Sequence, residues 1–345
     1  MTKLNPEKIE DWLSKNSKRE LDIILAAGFE TRSKALIERL IKESDMRLRN
    51  AIVLDYENKD LNEPTRSKII SAVRSNFESY EVIPLSDLEV IAKEIGDDKG
   101  DALKVVDISG MSRVLIFELL HRMLKVQATF NIGYTEAEDY YPDQQFYERL
   151  KEKKLENADF FFDTLDEIVE RKEIIYSYNC KIVQPTDFRG TLEPGLPSVL
   201  IGFLAFKRSR IQAILSSYEF SVRVFILNKP VRPGLSWRTD LMHIINADVL
   251  RRRPSKIITL ETLNPFASFR LLNREIVENP DCKKANIYLA PLGSKMQTIG
   301  SYFFWRKHPD ISVIFSQPSE YFADSFSAGW KDTFIVPHES LSSIS

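Results

Sequence analysis

The sequence predicts an α/β fold made of two tandem Rossmann-like units, each with a mostly parallel sheet. Two observations predict this class. Short apolar runs alternate with longer amphipathic stretches through both halves. The second half also repeats the short motifs that follow the fourth and fifth strands of the first half. The length of 345 residues favours two domains at roughly 150 residues each. Hydrophobic residues make up 43% and charged residues 28%, which are ordinary globular proportions.

The first unit, residues 1–142, contains five predicted strands: Leu21–Phe29, Asn50–Asp55, Tyr80–Pro84, Lys104–Ile108 and Ala128–Tyr134. Helical spacing follows the first strand at Ala35, Leu36, Leu40 and Ile41. Further helices are predicted near 63–77, 88–95 and 111–124. Strands that alternate with helices indicate a parallel sheet covered on both faces.

The second unit, residues 198–345, repeats this rhythm. Its predicted strands are Ser198–Ala205, Val222–Leu227, Lys256–Leu260, Asn286–Ala290 and Ile311–Phe315. Helices are expected from Ser209 and over Lys295–Trp305. Residues 143–197 fit neither unit, and we interpret them as a helical insert followed by a linker, because Val183–Pro197 is rich in proline and glycine.

Two matched turns indicate an internal duplication. The fourth strand of the first unit runs into DISGMSR (Asp107–Arg113), and that of the second runs into APLGSKM (Ala290–Met296). Each turn has a glycine, a hydroxyl residue and a cation at the start of a helix. After the fifth strands, YTEAEDYY (Tyr134–Tyr141) and FSQPSEYF (Phe315–Phe322) match in kind at most positions. Two diverged copies of one unit explain the agreement, and chance similarity of short motifs is the alternative.

Charge is distributed unevenly along a chain of net charge −2. Residues 1–195 carry 29 basic and 38 acidic side chains, whereas residues 196–345 carry 19 and 12. A positive half suits an anionic ligand. The alternative is that the two halves attract each other. Extended nucleic-acid binding is less expected, because the chain as a whole is not strongly basic.

Several function classes are disfavoured by composition. Two cysteines, Cys180 and Cys282, cannot form a disulfide framework or a four-cysteine zinc site, and four histidines make a multi-histidine metal centre improbable. The sequence has no run of 18 apolar residues and no signal-peptide core at its start, so we expect a soluble, cytoplasmic protein without membrane contact. Dinucleotide-binding, P-loop and nucleophile-elbow motifs do not occur.

The matched turns are the predicted anion site. Ligands of open parallel sheets bind beyond the carboxyl ends of the strands. A glycine there lets the backbone approach a ligand, and the helix N-terminus and an adjacent cation favour phosphate. The predicted ligand-binding residues are Ser109, Gly110, Ser112 and Arg113, then Gly293, Ser294, Lys295 and Gln297, with Arg32 and Arg208 as outer cations. The alternative is a pair of ordinary tight turns, each beside a surface cation.

Acidic residues near the first turn are the candidate catalytic groups. Asp107, Glu136 and Asp139 could hold Mg²⁺ through waters or supply a general base. The alternative is a solvated acidic loop, or ion pairs with the basic second half. We expect no resident cofactor or metal, and Mg²⁺ enters only if the protein is an enzyme.

A histidine motif offers a separate nuclease hypothesis. Arg238 to His243 matches R-x4-H, a pattern of metal-independent ribonucleases in which histidine is the acid or base and arginine binds phosphate. Those enzymes have an all-helical domain, and the α/β pattern here does not fit it. His121 lies in an apolar helical run, so we interpret it as structural.

The stretch Asn286–Phe315 resembles the ligand-binding core of CRISPR-associated Rossmann-fold (CARF) sensor domains. Their motif is a strand, a glycine–hydroxyl–lysine turn, a helix with small residues and a second strand. Here Gly293, Ser294 and Lys295 occupy the turn, whereas Met296 comes one position early and Pro291–Leu292 replaces the usual Thr–Gly. The match covers about thirty residues. The related SAVED sensors place two such units in one chain, as this sequence does.

The resemblance implies a nucleotide sensor of prokaryotic antiviral defence, in which paired units bind a cyclic oligonucleotide between their turns. No effector domain is visible, so a separate effector protein or a second copy of the chain would read the bound state. An enzyme that cleaves or modifies a nucleotide or nucleic acid is the first alternative. A structural subunit of a defence complex, docking through the linker or the run Arg251–Arg253, is the second.

Overall fold

A computed structural model describes residues 5–56, 59–91, 100–156, 180–251, 256–319 and 327–344. The chain forms two compact units. Unit 1 is Met1–Tyr140 together with Phe326–Ile344, and unit 2 is Tyr141–Ser325. Both units are mixed α/β structures, as the sequence predicts.

The strands are β1 (Glu7–Lys8), β2 (Glu20–Ala26), β3 (Arg47–Asp55), β4 (Ser79–Pro84), β5 (Leu103–Asp107), β6 (Asn131–Thr135), β7 (Asp139–Tyr140), β8 (Cys180–Val183), β9 (Ser198–Phe203), β10 (Val222–Lys229), β11 (Lys256–Glu261), β12 (Asn286–Ala290), β13 (Ser312–Val313), β14 (Phe315–Pro318), β15 (Ser327–Ala328) and β16 (Thr333–Val336). The helices are α1 (Ile9–Asn16), α2 (Ala35–Glu43), α3 (Lys59–Asn76), α4 (Arg113–Lys125), α5 (Gln144–Glu156), α6 (Ser209–Ser217), α7 (Trp237–Ile245), α8 (Ala247–Arg251), α9 (Pro265–Leu272), α10 (Lys295–Lys307) and α11 (His338–Ser342).

Unit 1 is built on a seven-stranded sheet in the order β1-β16-β6-β5-β2-β3-β4. The five strands from β6 to β4 in that order are parallel, whereas β16 is antiparallel to β6 and β1 is antiparallel to β16. The parallel strands therefore follow the doubly wound order 3-2-1-4-5. The order reverses between β2 and β5, which makes their carboxyl ends the switch point of this sheet.

The apolar core of unit 1 explains why these segments fold as they do. Alternate residues of β2 and β3, such as Leu21, Ile23 and Val53, are buried against one face of each of α1, α2 and α3. Trp12 and Leu40 are members of that cluster on the helix side. Each fully buried aliphatic side chain of this kind contributes about 1.5–3 kcal/mol.

Unit 2 is built on a five-stranded parallel sheet in the order β11-β10-β9-β12-β13, which is again 3-2-1-4-5. Its switch point lies between β9 and β12. Beside this sheet, β8 pairs antiparallel with β14. The helix α10 is buried along Met296–Trp305, so it lies inside the unit rather than on its surface.

Most predicted strands occur within a few residues of their expected bounds. The fifth strand of the second unit differs: β13 is short, and the chain continues as β14 beside β8. Helices α7 and α9 were not predicted. The C-terminal strand β16 was not predicted either, and it completes the sheet of unit 1 although the sequence assigned residues 198–345 to the second unit.

The predicted linker packs within unit 2 instead of spanning open space. Phe188 is buried and meets Trp305 edge-on, with ring centroids 4.8 Å apart. The backbone N–H of Thr191 donates to the carbonyl of Asp310 at 3.0 Å. Proline and glycine therefore shape an ordered connection here.

Parts of the predicted features lie outside the described residues: the insert over 157–179, the helix beyond 91, the run after Arg251 and the repeat partner 320–322. Within the described ranges, no helix combines the length and the apolar character that crossing a membrane requires.

Candidate functional site

The switch point of unit 2 brings two loops side by side. Strands β9 and β12 pair in register, with Gly202 opposite Ala290. The loop to α6 begins after Phe203, and the loop to α10 begins at Pro291. Because parallel neighbours end at the same edge, both loops leave the sheet next to each other, where ligands of such sheets bind.

The turn before α10 is closed by a capping box. The Ser294 hydroxyl accepts from the Gln297 N–H at 3.1 Å, and Gln297 Oε1 accepts from the Ser294 N–H at 2.8 Å. The amide of Gln297 also donates to the Glu261 carbonyl at 3.1 Å, and Ser294 Oγ donates to the Thr262 carbonyl at 2.5 Å. Both predicted ligand residues therefore hold the turn against the end of β11.

Gly293 and Lys295 flank this cap. A Cβ atom at Gly293 would lie 2.2 Å from Gln297 Oε1 and 3.0 Å from Phe203 Cδ1, so glycine lets the cap close against β9. Lys295 is the first residue of α10 and is half-buried. Its ammonium is carried at the positive end of a thirteen-residue helix, where an anion is favoured.

The adjacent loop concentrates positive charge. Arg208 and Arg210 are only 8% and 7% exposed, and Lys207 is half-buried. Burial foremost, and then Arg210, lower the pKa of Lys207 to about 7, while Cys180 acts in the opposite direction. The thiol of Cys180 lies 3.6 Å from the Ser209 hydroxyl, which places β8 beside this loop. The positive charge of this loop would attract an anion.

The switch point of unit 1 is closed by backbone contact. Strands β2 and β5 pair with Leu25 opposite Asp107. A Cβ atom at Gly28 would lie 2.6 Å from the Gly110 carbonyl oxygen, and one at Gly110 would lie 2.3 Å from the Ala26 carbonyl oxygen. The two loops touch, so both glycines are required by packing.

Tyr56 reaches this turn from the end of β3. Its hydroxyl accepts from the Ser112 N–H at 2.8 Å and donates to the Gly110 carbonyl at 3.1 Å. The Ser112 hydroxyl caps α4 by accepting from the Leu115 N–H at 3.2 Å. Arg113 is the first residue of α4, the position that Lys295 has in α10.

Asp107 and Ser109 are buried in a network that joins β5 to β6. Asp107 Oδ1 accepts from the Ser109 N–H at 2.9 Å and from its hydroxyl at 2.5 Å. Ser109 Oγ in turn accepts from the Thr135 N–H at 2.8 Å. The pattern assigns both side chains a structural role at the ends of the strands.

The remaining acidic candidates differ in exposure. Glu136 is buried, and its backbone N–H donates to the Asp332 carbonyl at 2.9 Å. Asp139 is exposed on β7. Within the ranges that the structure describes, no three His, Cys, Asp or Glu side chains are grouped as a metal site would need.

Arg32 lies inside unit 1 and not at its surface. It is 6% exposed, forms an ion pair with Glu30 at 2.7 Å, and donates to Tyr134 Oη at 3.0 Å and to the Thr135 carbonyl at 3.3 Å. Burial foremost raises the pKa of Tyr134 well above its usual value, so the phenol stays neutral. This guanidinium ties the loop after β2 to the end of β6.

The R-x4-H residues point apart. Arg238 is 5% exposed, donates to the Pro142 carbonyl at 2.7 Å and stacks 4.2 Å from the centroid of Phe206. His243 is exposed on the same helix. Residues five apart are about 140° apart around a helix, so the two side chains do not form a ribonuclease site.

The sequence analysis missed the capping role of Ser294 and Gln297 and the contributions of Lys207 and Tyr56. Ser294 and Gln297 carry the S-x-x-Q capping-box signature, which was readable. Lys207 follows an apolar strand, but its burial has no local signal. The role of Tyr56 also has no local sequence signal, because its partners Gly110 and Ser112 lie 54 and 56 residues away.

A cavity of about 210 Å³ lies away from both switch points, over the amino-terminal halves of the strands of unit 1. Asp22 lines it and pairs with two other lining residues, Arg49 at 2.6 Å and Asn50 at 3.0 Å. These three polar side chains of the cavity therefore bond to one another.

Comparisons with known proteins are weak. No protein-family model and no curated protein matches the chain. Among solved structures, a Type III CRISPR defence DNA nuclease activated by cyclic oligoadenylate is 9% identical with a TM-score of 0.47, over 82% of this chain and 63% of that chain. Can2 from Sulfobacillus thermosulfidooxidans in complex with cyclic tetra-adenylate is 10% identical with a TM-score of 0.24, over 85% and 94%. A putative Zn-dependent alcohol dehydrogenase from Rhodobacter sphaeroides is 14% identical with a TM-score of 0.26, over 50% and 68%. Likeness at this level identifies neither a family nor an activity.

Proposed function

We propose that the chain is a nucleotide-binding regulatory protein and that unit 2 holds the anionic ligand at the carboxyl ends of β9 and β12. The observation that carries the proposal is the positive charge of one loop, in which Arg208 and Arg210 are buried and Lys207 is half-buried. This loop lies beside the turn that ends at Lys295.

Electrostatics give the physical reason. Burial disfavours a charged side chain, and like charges close together disfavour it further. A phosphate group supplies the opposite charge and several acceptor oxygens. Lys295 and the first turn of α10 add a second source of attraction for the same ligand. The sheet order places both loops where doubly wound sheets bind their ligands.

The ligand class follows from the sensor resemblance of Asn286–Phe315. Two solved structures with a distant fold likeness are described as activated by cyclic oligoadenylate or bound to cyclic tetra-adenylate. Cyclic tetra-adenylate is therefore the first probe. In this proposal a separate effector protein, or a second copy of the chain, responds to the bound state in antiviral defence.

Calorimetric titration of the full chain with cyclic tetra-adenylate tests the proposal. We expect Lys295→Ala to weaken binding about tenfold, because a charge-assisted hydrogen bond contributes about 1.5 kcal/mol. The exposed Lys181 is the matched control, and Lys181→Ala should bind like the wild type. Equal affinities of the two variants, or no binding by the wild type, would contradict the proposal.

Mass spectrometry of small molecules released from the denatured protein separates binding from turnover. An intact nucleotide retained by the wild type and lost in Lys295→Ala supports a sensor. A linear phosphorylated product would support cleavage instead. For cleavage, Asp139→Asn, at an exposed candidate position, should then abolish product formation while leaving the fold intact.

A further inference from the structure

The strand β11 lies at one edge of the parallel sheet of unit 2, and among the described strands it pairs with β10 alone. The Thr262 N–H, just after β11, donates to the Lys229 carbonyl of β10 at 3.1 Å. Every second residue of a parallel strand bonds to the same neighbour, so Ile258 also directs its backbone groups to β10. The backbone N–H and C=O groups of Ile257 and Thr259 therefore point away from the sheet.

The side chains of β11 leave this edge accessible. Ile257 is 43% exposed, Thr259 is exposed, and alternation along the strand places both on one face of the sheet. Edge strands are commonly protected by a proline, a bulge or a lysine within the strand. In β11 the register with β10 is unbroken, and its one lysine, Lys256 at the first position, pairs with Glu275 at 2.6 Å. An edge of this kind is a template for another strand.

We propose that β11 pairs antiparallel with β11 of a second copy of the chain, about a two-fold axis at Ile258. In this register Ile257 lies opposite Thr259 of the partner subunit, so each outward N–H meets a C=O and every outward group is paired. The β-branched side chains of Ile257 and Thr259 form cross-strand pairs on one face, and the two copies of Ile258 meet on the other. Lys256 lies opposite Leu260 of the partner subunit, so no like charges are opposed.

This self-complementarity is the reason for choosing a second copy as the partner. The contact is small, because the pairing supplies about four hydrogen bonds between the chains, whereas a typical protein–protein interface has about ten. We therefore expect a reversible dimer whose population depends on protein concentration. The interface involves none of the residues that we propose to bind a nucleotide, so the inference does not rest on the proposed function.

Sedimentation velocity of the full chain, without nucleotide, tests the dimer at concentrations up to about 0.3 mM, where a weak interface is populated. We expect the dimer fraction of the wild type to rise with concentration. Ile257→Lys should give monomers, because a lysine on an edge strand opposes pairing. Val231 is 52% exposed and lies outside β11, so Val231→Lys is the matched control and should dimerise like the wild type. A monomeric wild type, or equal dimerisation of the two variants, would overturn the inference.

Cysteine cross-linking with oxidised glutathione tests the register. At the axis the two copies of residue 258 form a non-hydrogen-bonded pair with Cα atoms about 4.5 Å apart, which is within disulfide reach. Ile258→Cys should therefore give a disulfide-linked dimer, identified by peptide mass spectrometry. The two copies of residue 257 lie diagonally, about 7–8 Å apart, so Ile257→Cys should link far less. Absence of the 258–258 link, or equal yields from both variants, would overturn the inference. Failure of cyclic tetra-adenylate to bind would overturn only the proposed function.

Discussion

The turns before α4 and α10 occupy the same place in two sheets with the same strand order, yet they are held in different ways. Each has a serine N-cap followed by a cation, Arg113 or Lys295. In unit 1 the turn is fixed by Tyr56 from a different strand, whereas in unit 2 Gln297 of the same helix closes it.

Because of this difference, we expect the turn of unit 1 to affect folding stability and the turn of unit 2 to affect ligand binding. The turn of unit 1 joins three strand ends through buried groups, so substitutions there should act mainly on folding. The turn of unit 2 is capped locally and lies beside a cationic loop, so substitutions around it should act mainly on ligand affinity. Substitutions at matched positions test this contrast.

The largest expected effect is at the glycine of each turn. In Gly110→Ala the new Cβ would meet the Ala26 carbonyl oxygen, which is backbone and cannot move aside. We expect a loss of about 3 kcal/mol in the stability of unit 1. Gly293→Ala meets the flexible end of Gln297 and should cost about 1 kcal/mol through the broken cap. Urea denaturation followed by circular dichroism measures the stability loss of each variant. Equal losses in the two variants would contradict the expected difference between the turns.

Removing the buried carboxylate of unit 1 should have the next largest effect. Asp107→Ala leaves the Ser109 N–H and hydroxyl without their acceptor, which costs about 2 kcal/mol of folding stability. Asp139→Ala, at an exposed position, should change stability by less than about 0.5 kcal/mol. Thermal denaturation of both variants checks this, and an unchanged Asp107→Ala would refute the structural role.

The phenol of Tyr56 should matter less. Tyr56→Phe keeps the ring but loses both hydrogen bonds to the turn, with an expected loss of about 1 kcal/mol. Amide hydrogen exchange at Ser112 should become faster, while affinity for cyclic tetra-adenylate stays at the wild-type value. A tenfold loss of affinity would show that the turn of unit 1 contributes to the ligand site.

The smallest effect concerns pH. The pKa of Lys207 is lowered to about 7 in the free protein, and a bound phosphate would raise it, so binding takes up protons near neutral pH. Affinity should therefore fall roughly threefold as pH rises from 7 to 9. Calorimetry in two buffers of different ionisation enthalpy measures the uptake. Lys207→Met should remove the pH dependence of the affinity. A wild-type affinity that rises with pH would contradict this prediction.

Local patterns carried most of what the sequence predicted. The buried strands and the serine–cation starts of α4 and α10 are encoded by neighbouring residues, and they occur close to where they were expected. The errors involve distant partners. The local sequence predicts Arg32 to be a surface cation. In the structure it donates a hydrogen bond to Tyr134, which lies 102 residues away. Single-sequence periodicity contains no information about such contacts. The internal duplication remains a prediction, which the shared strand order is compatible with.

The insertion of β16 between β6 and β1 affects how the chain is made. The hydroxyls of Thr135 and Thr333 meet at 2.9 Å across 198 residues of sequence. At roughly 5–20 residues per second, a ribosome takes about 10–40 s to cover that distance. Throughout this time the edge of β6 that pairs with β16 stays without its partner strand, while unit 2 emerges as one continuous segment. The unit that begins first on the ribosome is therefore the one that finishes last.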